Sequence, residues 1–179
     1  MIYKYLRFVC LLAVAAVLVV LPVHAQSEGL TTEQIATIKQ NCRQISATLS
    51  QIRTNDAPVY INKNQTYFSI GDKLIARLNS RLTLNSYDAS DLVRTSSDYN
   101  HELQNFRTQY KAYEELLSDT IHTDCKRDTE RFYNKLASTR DARGRVHESA
   151  MKLREFISQY GNQVQTFGQQ HFSKGVDSE

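Results

Sequence analysis

The sequence predicts an all-α protein: an elongated antiparallel bundle or coiled coil of three to four helices, closed by one disulfide. Helix breakers are nearly absent, because Pro58 is the only proline beyond residue 25 and residues 72–143 contain no glycine or proline. Apolar residues recur in alternating steps of three and four, which is the spacing of a buried helical seam. Two cysteines, Cys42 and Cys125, stand far apart along this helical pattern.

The first 25 residues differ from the rest of the chain. Lys4 and Arg7 precede an uncharged apolar run over residues 8–21, and a small-residue sequence ends at Ala25. This order is typical of a secretory signal peptide cut after Ala25. The alternative is an uncleaved membrane anchor, but at ~1.5 Å per residue the run spans only ~21 Å of the ~30 Å hydrocarbon core. We therefore expect a protein that is secreted, periplasmic or on the cell surface.

Charge limits the partners of the mature chain. The net charge of +3 falls to +1 when the signal peptide takes Lys4 and Arg7 with it, and the remaining charges are well mixed. Such a chain offers neither a basic stripe for nucleic acid nor a polybasic patch for membranes. We expect a protein partner, no nucleic acid, and no stable membrane insertion after cleavage.

The first predicted helix covers residues 31–54 of a helical domain, 26–168. Thr31 and Gln34 form a capping-box pair, and Leu30 and Ile35 are placed as a hydrophobic staple. The seam residues that follow are Ile35, Ile38, Cys42, Ile45, Leu49 and Ile52.

Residues 55–66 interrupt the helical spacing. Pro58 disfavours a helical residue before it, and the asparagines at 62 and 64 have weak helix propensity. We expect a break or kink here; the alternative is a short hairpin, because residues 59–61 and 66–68 flank an Asn-rich turn. The seam of the second helix, residues 66–83, consists of Tyr67, Ile70, Leu74, Leu78 and Leu82.

Two longer helices complete the predicted domain, over residues 86–122 and 128–167. A turn near residues 83–86 and the cap residue Asp88 begin the first of them. We expect residues 169–179 to form a flexible polar tail. The seam of the third helix consists of Leu92, Ser96, Tyr99, Leu103, Phe106, Tyr110, Tyr113 and Leu117.

The cysteines predict how the helices are arranged. Cys42 and Cys125 are the pair left after signal cleavage, and an exported chain favours their oxidation. Each lies about 40 residues from the turn near residue 85. Antiparallel arms of nearly equal length would therefore bring their Cα atoms to the ~5.5 Å that a disulfide requires.

Five residues are candidates for an interaction site. Tyr99, Phe106, Tyr110 and Tyr113 form an aromatic stripe, whose seam spacing favours a core role and leaves a binding platform as the alternative. Arg143 is a charged residue on the seam of the last helix, where it fixes register, marks a bend or makes a contact.

Sequence motifs for catalysis are missing. The chain has no Gly-rich phosphate loop, H-E-x-x-H, G-x-S-x-G or C-x-x-C motif. His122, Asp124 and Cys125 lie close together, but zinc sites usually need four ligands or three plus water, and a disulfide would remove Cys125. Acidic residues such as Glu102 are expected to face water. We predict no enzyme and no catalytic, cofactor or metal residues.

Two resemblances bear on function. The sequence Leu30-Thr31-Thr32-Glu33-Gln34 resembles the L-T-x-x-Q signature of small periplasmic stress-response chaperones, helical proteins that hold unfolded clients without ATP. This resemblance implies an ATP-independent holdase or an envelope stress sensor. The second copy of the signature in that family is absent here, since Leu82-Thr83 is followed by Leu84.

A broader resemblance covers most of the mature chain. A signal peptide is followed by Asn41-Cys42-Arg43, residues 73–79, Asp124-Cys125, Phe132-Tyr133 and residues 140–156, an order similar to that of uncharacterised exported two-cysteine helical proteins of candidate-phylum bacteria. The resemblance implies the fold and the compartment. Our leading hypothesis is an exported non-catalytic scaffold or protein-interaction module. We expect a monomer, with pairing of seams between two chains as the alternative.

Overall fold

The structure, a computed structural model, describes residues 29–172 and shows three continuous helical runs and no strand among them. The all-α class is therefore confirmed. The predicted signal peptide and residues 173–179 lie outside the described residues. The first run consists of α1 (Thr32–Ser69), a π-helical segment (Ile70–Ile75) and α2 (Ala76–Leu84); the others are α3 (Ser90–Ile121) and α4 (Thr129–Phe172).

The start of α1 is fixed by its capping residues, as predicted. The backbone N–H of Gln34 donates to Thr31 Oγ1 at 3.2 Å, and the backbone N–H of Thr31 donates to Gln34 Oε1 at 2.8 Å. This capping box satisfies two of the N–H groups that a helix start leaves without an intrahelical partner.

Neighbouring runs travel in opposite directions. Tyr67 of α1 packs on Phe106 of α3, whereas Cys42 near the start of α1 meets Cys125 beyond the end of α3. The two sulfurs lie at disulfide bonding distance, with Cα atoms 5.7 Å apart. The predicted proximity of Cys42 and Cys125 is therefore confirmed.

The turn between α2 and α3 falls where the sequence predicted it. Ser86 adopts the left-handed conformation with φ 59°, and the N–H of Tyr87 donates to the carbonyl of Leu82 at 3.0 Å. This bond closes the helix end in the manner of a Schellman motif. Helix α3 then begins at Ser90, four residues later than predicted.

Helix α3 lies at the centre of the core and packs most closely against α4. Burying large apolar side chains from both helices stabilises the fold by roughly 1.5–3 kcal/mol for each of them. The predicted α3 seam is confirmed, since seven of its eight residues are buried and Tyr110 is half-buried. The largest fully buried side chains include Tyr99, Phe106, Leu117, Phe132 and Leu153.

The predicted break at residues 55–66 is wrong, and so is its hairpin alternative. Helix α1 runs through Pro58 without interruption to Ser69. An internal proline costs a helix about 3 kcal/mol, because it removes one backbone hydrogen bond and crowds the preceding turn. Contacts on both sides of Pro58 oppose this cost, since Asp56 pairs with Arg143 and Tyr60 stacks on Tyr110.

The irregularity lies further along the run, in the π-helical segment, which the sequence did not predict. Here the N–H of Ala76 bonds to the carbonyl of Gly71, five residues back. The wider turn shifts the buried face by one residue. Leu74, predicted on the seam, is therefore 64% exposed, whereas its neighbour Ile75 is 3% exposed.

Buried tyrosine hydroxyls bracket the π-helical segment. Tyr99 donates to the carbonyl of Tyr67 at 2.7 Å. The Tyr160 hydroxyl donates to Asn79 Oδ1 at 2.7 Å and lies 3.3 Å from the carbonyl of Ile75. A Cβ on Gly71 would lie 3.1 Å from Cε1 of Tyr99, so the helix approaches the ring through a residue without a side chain. Neighbouring helices thus hold the segment in its wider form.

The end of α4 corrects the predicted tail. Residues 169–172 are helical, and the rest of that tail lies outside the described residues. The last helical turn packs on the turn between α2 and α3: the ring of Tyr87 lies 5.6 Å from Phe167, 5.3 Å from His171 and 5.8 Å from Phe172. These aromatic contacts favour continuation of the helix over fraying.

We expect Gly71→Ala to lower the free energy of unfolding by about 1 kcal/mol, although alanine favours helices by about that amount. The cause is the fully buried Tyr99 ring, which has no space to move away. Gly161→Ala is the matched control, because a Cβ there meets nothing within 4 Å, and it should stabilise the protein. Urea unfolding followed by circular dichroism measures both. Stabilisation by both alanines would show that the close approach is unimportant.

Replacing Cys42 and Cys125 together with alanine should lower the free energy of unfolding by about 4 kcal/mol, because an 83-residue loop is no longer closed in the unfolded chain. Urea unfolding of the oxidised wild type, the reduced wild type and the double variant measures this difference. The reduced wild type should unfold at the same urea concentration as the double variant. Identical midpoints with and without reductant would contradict the prediction.

Candidate functional site

An open groove lies between α1 and α4, with α3 forming its floor. Its volume is about 600 Å³, within the range of ligand-binding clefts. Three helices supply its walls and floor. The lining residues are Asp56, Val59, Tyr60, Lys63, Phe106, Tyr110, Tyr113, Arg140, Arg143, Gly144, Val146, His147 and Ala150.

Four of the five residues predicted as interaction candidates meet in this groove: Phe106, Tyr110, Tyr113 and Arg143. Tyr99 does not line it. Its side chain is fully buried and its hydroxyl is engaged by the carbonyl of Tyr67. Tyr99 therefore has the core role that its seam spacing favoured. Phe106 and Tyr113 are buried too, so Tyr110 and Arg143 are the predicted residues that are most accessible from the groove.

The floor of the groove is aromatic. The rings of Tyr60 and Tyr110 stack with centroids 3.5 Å apart and planes 3° from parallel, and Phe106 lies 5.4 Å from Tyr60. Burial raises the pKa of both tyrosine hydroxyls, so both remain neutral at physiological pH. The floor therefore offers apolar ring surface with two hydroxyl groups.

A carboxylate joins the three helices at one end of the groove. Asp56 Oδ2 accepts hydrogen bonds from the Tyr113 hydroxyl at 2.6 Å and from Arg143 Nε at 2.9 Å, while Oδ1 accepts from Arg143 Nη2 at 2.9 Å. The hydrogen bonds to Asp56 raise the pKa of Arg143, and burial is the main cause of the raised pKa of Tyr113. Arg143 thus links α4 to α1. It does not mark a break in α4, which is continuous from Thr129 to Phe172.

Cations outnumber anions around the groove. Asp56 is its only acidic lining residue, and both of its oxygens are engaged. Lys63 and Arg140 have no ion-pair or hydrogen-bond partner within residues 29–172, and His147 lies on the same wall as Arg140. The unpaired positive charge is therefore available to an anionic ligand.

Gly144 is the position on the α4 wall that has no side chain. A Cβ built there meets nothing within 4 Å, so this position faces open space. The missing side chain lets a ligand approach the helix backbone between Arg143 and His147.

Sequence reasoning missed the α1 side of the site. Asp56, Val59, Tyr60 and Lys63 all fall in the predicted break, where no helical face was assigned. Their spacing of three, one and three residues places them on one face of a helix, so this signal was available once residues 55–66 were treated as helical.

Glu102 also differs from expectation. It was expected to face water but is buried, where its carboxylate accepts hydrogen bonds from Ser149 Oγ and from Asn105 Nδ2. These bonds compensate the loss of hydration of a buried acidic side chain.

The candidate metal ligands are engaged in other contacts. His122 Nδ1 lies 2.7 Å from the carbonyl of Ser118, and Asp124 Oδ1 accepts from the backbone N–H groups of Lys126 and Arg127. These bonds lower the pKa of Asp124. Within residues 29–172, no three His, Cys, Asp or Glu side chains converge on a common metal position.

The chain matches no protein-family model, no curated protein and no solved structure. None of the helices in the described part of the chain has the length and apolar character needed to cross a membrane.

We expect Asp56→Ala to lower the free energy of unfolding by about 2 kcal/mol, because it leaves the Tyr113 hydroxyl and the Arg143 guanidinium without their acceptor. Arg143→Ala should cost about 1 kcal/mol or less, since its side chain is 58% exposed. Asp91→Ala, which breaks the exposed pair with Arg94, is the control with little effect. Chemical unfolding gives all three values. An Asp56 variant as stable as the Asp91 variant would refute the role of the junction.

Proposed function

We propose that the protein is an exported, non-catalytic interaction module, whose helices form an elongated antiparallel bundle and whose groove between α1 and α4 contacts a protein partner. The observation that carries the proposal is the combination of an aromatic floor with unpaired cations in one open groove. Aromatic and arginine side chains are enriched at protein interfaces. The signal-like sequence over residues 1–25 supports export.

A structural role rather than a chemical one accounts for the charged groups at the site. Asp56 and Arg143 bind each other, and Tyr113 donates to the same carboxylate. A general base would need a reacting group within hydrogen-bond reach, whereas these side chains already satisfy one another. The groove is therefore better suited to binding than to catalysis.

The second candidate is an ATP-independent holdase or envelope stress sensor. It is favoured by exposed apolar side chains along α1, where Val59, Ile61 and Phe68 are each about half exposed. Such surface can hold unfolded clients. The L-T-x-x-Q sequence supports this candidate only weakly, because Thr31 and Gln34 cap α1.

Site-specific photo-crosslinking in the producing cells tests the proposal. A photoreactive residue at Val59, on the groove wall, should give one discrete crosslinked product, whereas one at Val93 on α3 should not. Val59 and Val93 are matched in exposure at 53% and 48%, and only Val59 lines the groove. The crosslinked chain should be extracytoplasmic and begin at Gln26.

The two candidates give different results. A holdase would crosslink to products of many sizes and, in stoichiometric amount, would suppress aggregation of an enzyme diluted out of guanidinium, an assay that needs no reductant. An interaction module would leave that aggregation unchanged. Equal crosslinking at Val59 and Val93, or a product confined to the cytoplasm, would refute the proposed function.

A further inference from the structure

We propose that the groove receives an acidic amphipathic helix of the partner protein, which packs its apolar face on the aromatic floor and its carboxylates against Lys63 and Arg140. This inference deepens the proposed function and rests on it. The shape, the apolar surface and the charge of the groove each contribute an argument.

The shape of the groove follows the helix axes. Its α1 wall consists of Asp56, Val59, Tyr60 and Lys63, positions separated by about one helical turn. The α4 wall repeats in the same way over residues 140–150. Both walls run along helices for ~15 Å or less at 1.5 Å per residue, so an elongated ligand lying parallel to them fits better than a compact one.

A second groove extends this path towards the cysteine pair. It also lies between α1 and α4, has a volume of about 430 Å³ and shares Arg140 with the first groove. Its apolar lining includes Ile38, Ile45, Phe132 and Leu136. Together the two grooves use α4 positions 132–150, a length of ~27 Å, which corresponds to about five helical turns of a bound helix.

The wall and floor admit the apolar face of a helix. The stacked rings of Tyr60 and Tyr110, with Val146 and Ala150, form a surface suited to Leu or Phe side chains. Gly144 leaves open space on the α4 wall, where a neighbouring helix is able to approach closely. Small residues at such positions permit short distances between helices.

The charge of the groove selects an acidic partner. Lys63 and Arg140 carry unpaired positive charge, Arg143 remains 58% exposed beyond its pair with Asp56, and no free carboxylate lines the first groove. Glu33 lines the second groove, so the attraction for an acidic helix comes from the first groove and the shared Arg140. Glutamates beside the apolar stripe of a bound helix would meet these cations. Lysines at the same places would face like charge, which disfavours a basic helix.

Synthetic helices provide the probes. The acidic peptide has three heptads with Leu at the first and fourth positions, Glu at the fifth and seventh, and Ala elsewhere. In the second peptide Lys replaces Glu, and in the third Ser replaces Leu. Fluorescence anisotropy of labelled peptides with the oxidised protein should show the acidic peptide binding at least about tenfold more tightly than either other peptide, and more weakly as salt rises from about 50 to about 500 mM.

Variants assign the binding to the groove. Lys63→Glu and Arg140→Glu should each weaken binding of the acidic peptide by about tenfold and improve that of the basic peptide. Gly144→Leu should weaken the acidic peptide by at least as much, because the side chain fills the open space. Lys152→Glu is the control, since this exposed α4 residue lines neither of the two grooves and makes the same charge change. Circular dichroism checks that each variant is folded.

Three results would overturn the inference. The first is equal affinity of the protein for the acidic and basic peptides. The second is binding of the acidic peptide that Gly144→Leu leaves unchanged. The third is a protein that is a dimer by light scattering and becomes a monomer on Gly144→Leu. The last result would assign the groove to a second copy of the chain. If the peptides fail while Val59 still gives one discrete crosslinked product, the proposed function stands and only the acidic-helix partner is refuted.

Discussion

The Asp56 carboxylate is the constraint on which the middle of the molecule depends. It joins all three helical runs, since it lies on α1 and accepts from Tyr113 on α3 and Arg143 on α4. Loss of its hydrogen bonds is expected to cost about 2 kcal/mol, which is of the same order as the ~3 kcal/mol cost of a helical proline. Because Asp56 lies two residues before Pro58, the junction stabilises the helix where local propensity disfavours it. The same bonds fix the separation of α1 and α4, and with it the width of the groove.

The opposition between local helix propensity at Pro58 and distant contacts explains what the sequence could and could not predict. Capping at Thr31, the α3 seam and the pairing of Cys42 with Cys125 depend on local patterns or on counting residues from a turn. Continuity through Pro58 depends on contacts with residues 50 to 90 positions away, which no local pattern contains. Treating the proline as a boundary also removed residues 55–66 from every helical face, so the α1 wall of the groove was missed.

The π-helical segment shows a second limit of periodicity. A seam extrapolated at regular helical spacing placed Leu74 inside, but one wider turn moved Ile75 into the core instead. The cause is again tertiary. Tyr99 donates to the carbonyl of Tyr67 before the segment, Tyr160 donates to Asn79 just beyond it, and Gly71 admits the Tyr99 ring.

The contacts between the helices also explain why the groove between α1 and α4 is open. At one end of the molecule, the cysteine pair holds the start of α1 against the segment that follows α3. At the other end, Tyr87 in the turn before α3 packs on Phe167 near the end of α4. Between these ties α3 packs closely on α4, whereas α1 meets α4 at few places. The side chains left between α1 and α4 are too few to close the gap, and Gly144 contributes none. Three helices therefore leave a groove beside the half-buried rings of Tyr60 and Tyr110, and a fourth helix would cover it.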